Sequence, residues 1–396
     1  MTIEVYIMSE NRVTWISLSK TIALILVIVV HSTPRDYFSG ILTGFVLPAF
    51  FILYGVTHNN DKHRQEIKSY LYTRLRSLMI PYVLLTIAMV AIYTLCYPFV
   101  DFGLTPMDFV YWSFYGNGPP DRVTHLWFLR TMFLAIVLFS LVDRYLHNRH
   151  TLFRFFLIGI TPAIGVSFKT LLGVDLIPWG VDAGFIALSF MMIGNEIRRR
   201  HQMAKWTTSP LPDGLMIPIS IVLFLVLTSI NGFVNIGAST YGNSVYIYII
   251  TGLLGTYFLN VFSYHATKLS EKASSIALKF NKYSQEIYEV HPMIIQINIV
   301  FLGGLSIWQY VTIYPGAPLF IVNISTSILL SWIISAKIIN RSRYLKFIFC
   351  GWGIIESKPT PPQPEESLQP VLDIPIVVPV SIDEKISMSE EALTNA

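Results

Sequence analysis

The stretch TIALILVIVV occupies positions 21–30, closed on one side by Lys20 and on the other by His31. Ten residues free of Gly and Pro, extended by the flanking 14–19 and 32–33, make a segment long enough to span a bilayer as a helix. Eleven steps of about 100° return the chain to the same face after roughly three turns, so Lys20 and His31 share a face about 16 Å apart along the axis. Ionisable groups are expensive in hydrocarbon and face a protein interior or a water-filled cavity, which marks both as functional candidates.

Composition agrees with that reading. The chain is 53% hydrophobic and only 13% charged, with a mean hydropathy of +0.55, far from the roughly one-quarter charged content of soluble domains. The expected fold is all-α: a polytopic bundle with spans near 14–33, 41–57, 79–98, 126–144, 153–174, 177–197, 214–234, 245–265, 286–307 and 318–338, ten in all. With the N-terminus in the cytoplasm, 24 of the 28 Lys and Arg residues fall on inner segments, leaving Arg35, Arg122, Arg130 and Lys169 outside. This alternation predicts that both termini are cytoplasmic. The net charge of +4 therefore belongs to loops and implies a lipid bilayer partner, not a nucleic acid. Cys96 and Cys350 fall on opposite sides and are not expected to pair. No small-residue cleavage site follows the first apolar run, so that run is read as a span and not as a cleaved signal.

Two regions differ from the bundle. The aromatic and Pro-containing loop near 99–124 is expected to be a folded cap or an interfacial segment. From residue 351 the chain carries seven prolines and many acidic residues. This divides it into a 1–350 transmembrane domain and a 351–396 tail, expected to be disordered in the cytoplasm.

Several short pieces, in order, resemble the integral-membrane acyltransferase family three. These ten-span proteins O-acetylate bacterial surface polysaccharides such as the lipopolysaccharide O-antigen. The pieces are Lys20 and His31 at their ten-residue spacing, PAFFILYGVTHNN (48–60), YLYTRLRSLMIPY (70–82), HLWFLRTMFL (125–134), LSFMMIGNEIRRR (188–200) and SQEIYEVHPMII (284–295). Two departures matter. The family commonly has Arg where Lys20 stands, which replaces a planar fork with a point charge. Met132 stands where one branch carries a glutamate, so no glutamate-dependent step is carried over.

The resemblance implies an acetyl-CoA or other acyl-CoA donor, used as a substrate, and an acceptor that is a surface polysaccharide or lipid-linked oligosaccharide. It also implies location in a bacterial inner membrane. Acyl transfer to a hydroxyl needs a base, and His31, near the outer end of its span, suits that role. Lys20, Arg74 and Arg76 are placed to meet the donor's phosphates at the inner face; His291, followed by Pro292, is read as a donor-side or structural residue. Asp182, inside the sixth span, is the carboxylate that would orient a catalytic histidine. Asp121, His125 and Trp127 at the outer entrance of the fourth span offer stacking and hydrogen bonds to a sugar. No metal-ligand spacing, phosphate-binding glycine loop or nucleophile elbow is present. Ten spans with buried charges also describe a glycan or small-molecule transporter or flippase, and a non-catalytic partner in polysaccharide export is a third reading. No internal repeat of the carrier kind is evident.

Overall fold

The computed structural model describes residues 2–33, 37–98, 103–117, 126–146, 149–199, 213–303 and 318–352. Asp121, His125 and the tail from 353 onward lie outside them. The chain divides into a helical body, Glu10–Glu356, and a second unit made of Met1–Ser9 with Ser357–Ala396. Among the described residues the body is all-helical, with one isolated bridge between Asn235 and Thr240.

Its first part comprises α1 (Thr2–Ser32), α2 (Tyr37–Thr43), α3 (Val46–Thr57), α4 (Asn60–Gln65), α5 (Ile67–Arg74), α6 (Ile80–Cys96) and α7 (Pro106–Tyr115). Then come α8 (Trp127–Leu146), α9 (Thr151–Leu172), α10 (Val181–Arg199), α11 (Asp213–Asn231) and α12 (Val245–Leu269). The chain closes with α13 (Glu271–Asn281), α14 (Ser284–Gly303), α15 (Pro318–Lys337) and α16 (Arg343–Cys350).

Among the described residues seven helical stretches are long and apolar enough to cross a membrane: Thr14–Ser32, Phe38–Thr57, Ile67–Cys96, Thr151–Leu172, Pro178–Arg199, Val245–Leu269 and Phe320–Arg341. The other three expected spans are helices of different character. Of the predicted 214–234 span, only Met216–Asn231 forms a short apolar helix. α8 carries Arg130, Asp143 and Arg144, and α14 carries Glu286, Glu289 and His291. Such helices tolerate membrane depth only when their polar groups face the bundle, and Arg130, Asp143, Glu286, Glu289 and His291 are all buried.

Packing follows from side-chain size. An 18-residue apolar window within Pro178–Arg199 is 83% buried, against 11% for one within Ile67–Cys96, so α10 forms the centre of the bundle and α6 an outer wall. α10 packs on α3, α8 and α9, around Phe51, Ile136, Phe139, Phe190 and Met191. The α3–α10 crossing is tight because both helices present glycine. A Cβ on Gly55 would lie 2.0 Å from the Met191 carbonyl oxygen, and one on Gly194 would lie 2.1 Å from that of Ile52. Small residues bring membrane helices into this backbone contact. A second apolar cluster joins α1 to α14 through Leu24, Val27, Ile28, Ile287 and Ile295.

α5 and α6 run on through a π-helical segment, Leu75–Met79, just before Pro81. Pro81 has no N–H for the Ser77 carbonyl one turn back; the Gln285 side chain donates to that oxygen at 2.8 Å and to the Phe349 carbonyl at 3.0 Å. A single amide thereby ties α14 to the π segment and to α16. The predicted cap contains α7, opened by a Thr105–Asp108 capping box and closed by Gly116 in the left-handed region. Tyr115 and Asn117 donate to the Leu176 and Ile177 carbonyls, fixing α7 beside the turn that leads into α10.

Candidate active site

α1 ends one residue beyond His31, and Pro292 follows His291 inside α14. The two imidazoles meet although 260 residues separate them: His31 Nδ1 lies 2.8 Å from His291 Nε2, with ring planes 14° apart. His291 Nδ1 is 3.1 Å from the Ile287 carbonyl, to which it donates, since a carbonyl only accepts. With His291 neutral, its Nε2 carries the lone pair and His31 donates its Nδ1–H there. That tautomer leaves His31 Nε2 as a hydrogen-bond acceptor. His31 is exposed while His291 is completely buried, so the accessible ring is oriented by the inaccessible one. Sequence reasoning placed these histidines at opposite faces of the membrane; the fold instead makes them neighbours.

The other expected site residues separate into distinct surroundings. Lys20 is partly buried in α1, three turns from His31. Arg74 stacks over the Tyr70 and Tyr54 rings at 5.2 and 5.9 Å. Arg76, read as a phosphate ligand, is buried: it donates to the Gly351 carbonyl at 3.3 Å and lies 4.4 Å over the Trp352 ring. Gly351 closes α16 at φ 71°, and a Cβ there would meet the Arg76 carbonyl at 2.0 Å. The guanidinium expected at the donor is thus spent on anchoring the end of the helical body. Asp182 is fully buried and accepts from the Tyr241 hydroxyl at 2.5 Å, not from a histidine. Trp127 covers Gly237, where a Cβ would meet its ring at 2.7 Å.

Arg130, an outer cation by the charge alternation, is the largest fully buried side chain among the described residues, and none of its three guanidinium nitrogens has a hydrogen-bond partner. An arginine inside a predicted span was itself the signal. Tyr288 links it to the histidines: its ring is 5.9 Å from His291 and 5.2 Å from Phe128, and it is among the electrostatic neighbours of Arg130.

At the far end of α10 the VTHNN and GNEIRRR pieces converge in a latch. Asp143 of α8 accepts from Asn60 at 2.5 Å and from Arg199 at 2.8 Å, and pairs with Arg64 at 3.1 Å. Asn60 and Asn195 exchange amide bonds. Beside it, His58 sits next to His63 and Tyr70, and Arg198 donates to its carbonyl. Burial, helped by the His63, Arg74, Arg198 and Arg64 charges, pushes His58 down from 6.5 to about 3. The unfolded chain takes up this proton below pH 6.5 and the folded chain only near 3, so stability is complete above 6.5 and declines as pH falls through that window. The expected result is a melting temperature that drops between pH 7 and pH 4.5 more steeply for the wild type than for His58→Gln, read by thermal unfolding in detergent. Equal slopes would contradict the assignment.

Among the described residues no group of His, Cys, Asp and Glu is arranged to hold a metal ion. The described body is an apolar many-helix bundle that holds the exposed ring of His31 against the buried ring of His291. The model of an acyltransferase domain, acyltransferase family 3, matches residues 13–336, and the chain belongs to that family. The match runs from within α1 to nearly the end of α15, and so includes both histidines. No curated protein and no solved structure matches the chain.

Proposed function

We propose that this acyltransferase moves an acyl group, most simply acetyl, from cytoplasmic acyl-CoA to a hydroxyl of an extracytoplasmic or lipid-linked glycan such as an O-antigen repeat. The protein works in a bacterial inner membrane, with ten spans and both termini in the cytoplasm. The observation that carries this reading is the His31–His291 pair inside an acyltransferase family 3 domain.

His31 Nε2 removes the acceptor's hydroxyl proton as its oxygen attacks the thioester carbonyl. The imidazolium that forms keeps its Nδ1–H bond to His291 Nε2, which favours the charged ring. When the C–S bond breaks, His31 returns the proton to the departing sulfur, so the ring ends the cycle neutral. His291 acts as the orienting member of the pair, the place a carboxylate holds in serine hydrolases. Lys20 and Arg74 are assigned to the donor's phosphates, and Arg76 holds the C-terminal end of the bundle. Asp121, His125 and Trp127 remain on the acceptor side of the proposal.

Mass spectrometry of surface polysaccharide from cells with and without the protein tests the function. The expected result is a gain of one acetyl per acceptor repeat that depends on the protein. Unchanged acylation of every envelope glycan and lipid would overturn it in favour of a carrier or an export partner. Replacing Lys20 by Met is expected to raise the KM for acyl-CoA about tenfold with little change in kcat, as for loss of a charge-assisted phosphate contact. An unchanged KM would remove Lys20 from the donor site.

A further inference from the structure

Arg130 lies in the first turn of α8 and Asp182 in the first turn of α10, on either side of the turn Pro178–Gly180. All three nitrogens of the Arg130 guanidinium, the adjacent Thr131 hydroxyl and one Asp182 carboxylate oxygen are buried without a hydrogen-bond partner. Each such orphan costs about 1–3 kcal/mol, more when charged, so the group is retained at considerable expense. A Cβ on Gly180 would lie 2.5 Å from an Arg130 terminal nitrogen, so the guanidinium lies against the Gly180 backbone, which itself takes φ 56°. Asp182 is held by the Tyr241 hydroxyl through its other oxygen, leaving Oδ1 available. Beside them Trp179 takes φ 57°, a left-handed conformation costly for a bulky residue. Its ring backs onto Gly116, stands 6.1 Å from Tyr82 and is 39% exposed.

The unpartnered atoms define the ligand's chemistry. Arg130 carries unpartnered donors and Asp182 an unpartnered acceptor, and Asp182 is among the electrostatic neighbours of Arg130, so the two charges offset each other with no hydrogen bond between them. A free anion would meet the carboxylate and a free cation the guanidinium. A neutral hydroxyl satisfies both, donating to Asp182 Oδ1 while accepting from Arg130, and vicinal hydroxyls can also reach Thr131. An exposed indole alongside is a surface on which the C–H face of a sugar ring packs. We propose that Arg130, Thr131 and Asp182, with Trp179 as the stacking wall, form a subsite for a neutral sugar ring of the acceptor. This deepens the proposed function and rests on it only in taking the bound sugar to be the group that His31 acylates. Arg130 and Asp182 act here as substrate ligands and not as the histidine's orienting carboxylate and counter-charge. Tyr288, in contact with His291 and near Arg130, joins this subsite to the histidine pair.

Saturation-transfer NMR on purified full-length protein, titrated with the methyl glycosides of glucose, galactose, mannose and rhamnose, tests the subsite without needing turnover. At least one glycoside is expected to give a saturable signal, with affinity falling roughly tenfold to a hundredfold in Asp182→Asn and in Arg130→Gln, as for loss of hydrogen bonds to charged groups. Thr131→Val keeps shape and packing, guarding against a folding artefact, and is expected to weaken binding several-fold at an unchanged melting temperature. Absence of binding by every glycoside, equal binding by wild type and all three variants, or displacement of the sugar by inorganic phosphate would overturn the proposal; the first two are the results expected if only water fills the gap. Glycoside binding that needs Arg130 and Asp182 in a protein showing no acyl transfer would leave the subsite standing and remove the acyltransferase reading of it.

Discussion

His31→Gln is expected to lower acyl transfer by about 10²–10⁴-fold, the range for removal of a general base, while leaving the melting temperature close to that of the wild type. His31 is exposed at the end of its helix, and glutamine fills a similar volume, so little packing is lost. His291→Gln is expected to cost less, about 10–100-fold, because an orienting partner acts through the ring it holds. Its second signature is in pH dependence: without the His291 acceptor the imidazolium form of His31 loses a stabilising bond, so the acid limb of the kcat/KM profile, where the base becomes protonated, moves to lower pH. Steady-state transfer measured across pH for both variants checks this. Full activity in His31→Gln would exclude the base, and an unshifted profile in His291→Gln would reduce the pair to a structural contact.

The largest effect on stability is expected at the α3–α10 crossing. Gly194→Ala places a methyl 2.1 Å from the Ile52 carbonyl oxygen, and Gly55→Ala places one 2.0 Å from that of Met191. Backbone cannot rotate aside as a side chain does, so the central helix must separate from its neighbour. The cost is about 3 kcal/mol or more for either change, at the upper end of overpacking. Gly159→Ala is the internal control, since nothing lies within 4 Å of a Cβ there. Melting temperature and monodisperse yield in detergent are expected to fall sharply for the first two variants and to hold for the third. Parallel behaviour of all three would contradict the packing account.

The α1 span and the common face of Lys20 and His31 were legible because an unbroken aliphatic run and a ten-residue gap need no tertiary information. The lipid-facing stretches were legible for the same reason. α8 and α14 are harder: their apolar residues announce spans, but Asp143 and His291 make them helices that depend on partners contributed by distant parts of the chain. The His31–His291 contact joins residues 260 apart, and neither periodicity nor local spacing encodes such a pairing. Arg76 illustrates the converse. Its position in a basic approach to a span suggested an anion site, yet the Gly351–Trp352 turn that covers it lies 275 residues downstream. Arg130 carries a usable signal as a cation inside an apolar span, yet the charge alternation across the loops accommodates it equally well as an outer cation.

The central claim is that acyl-CoA on the Lys20 side of the membrane is consumed by a hydroxyl activated at His31. Sealed proteoliposomes, with the purified full chain oriented one way, radiolabelled acetyl-CoA on the cytoplasmic side and the acceptor glycan enclosed on the other, measure it directly. Label is expected to appear covalently on the enclosed glycan in the wild type, with free coenzyme A retained on the donor side, and to fall to background in His31→Gln. Label reaching the glycan equally well in His31→Gln, or none reaching it in the wild type, would contradict the account.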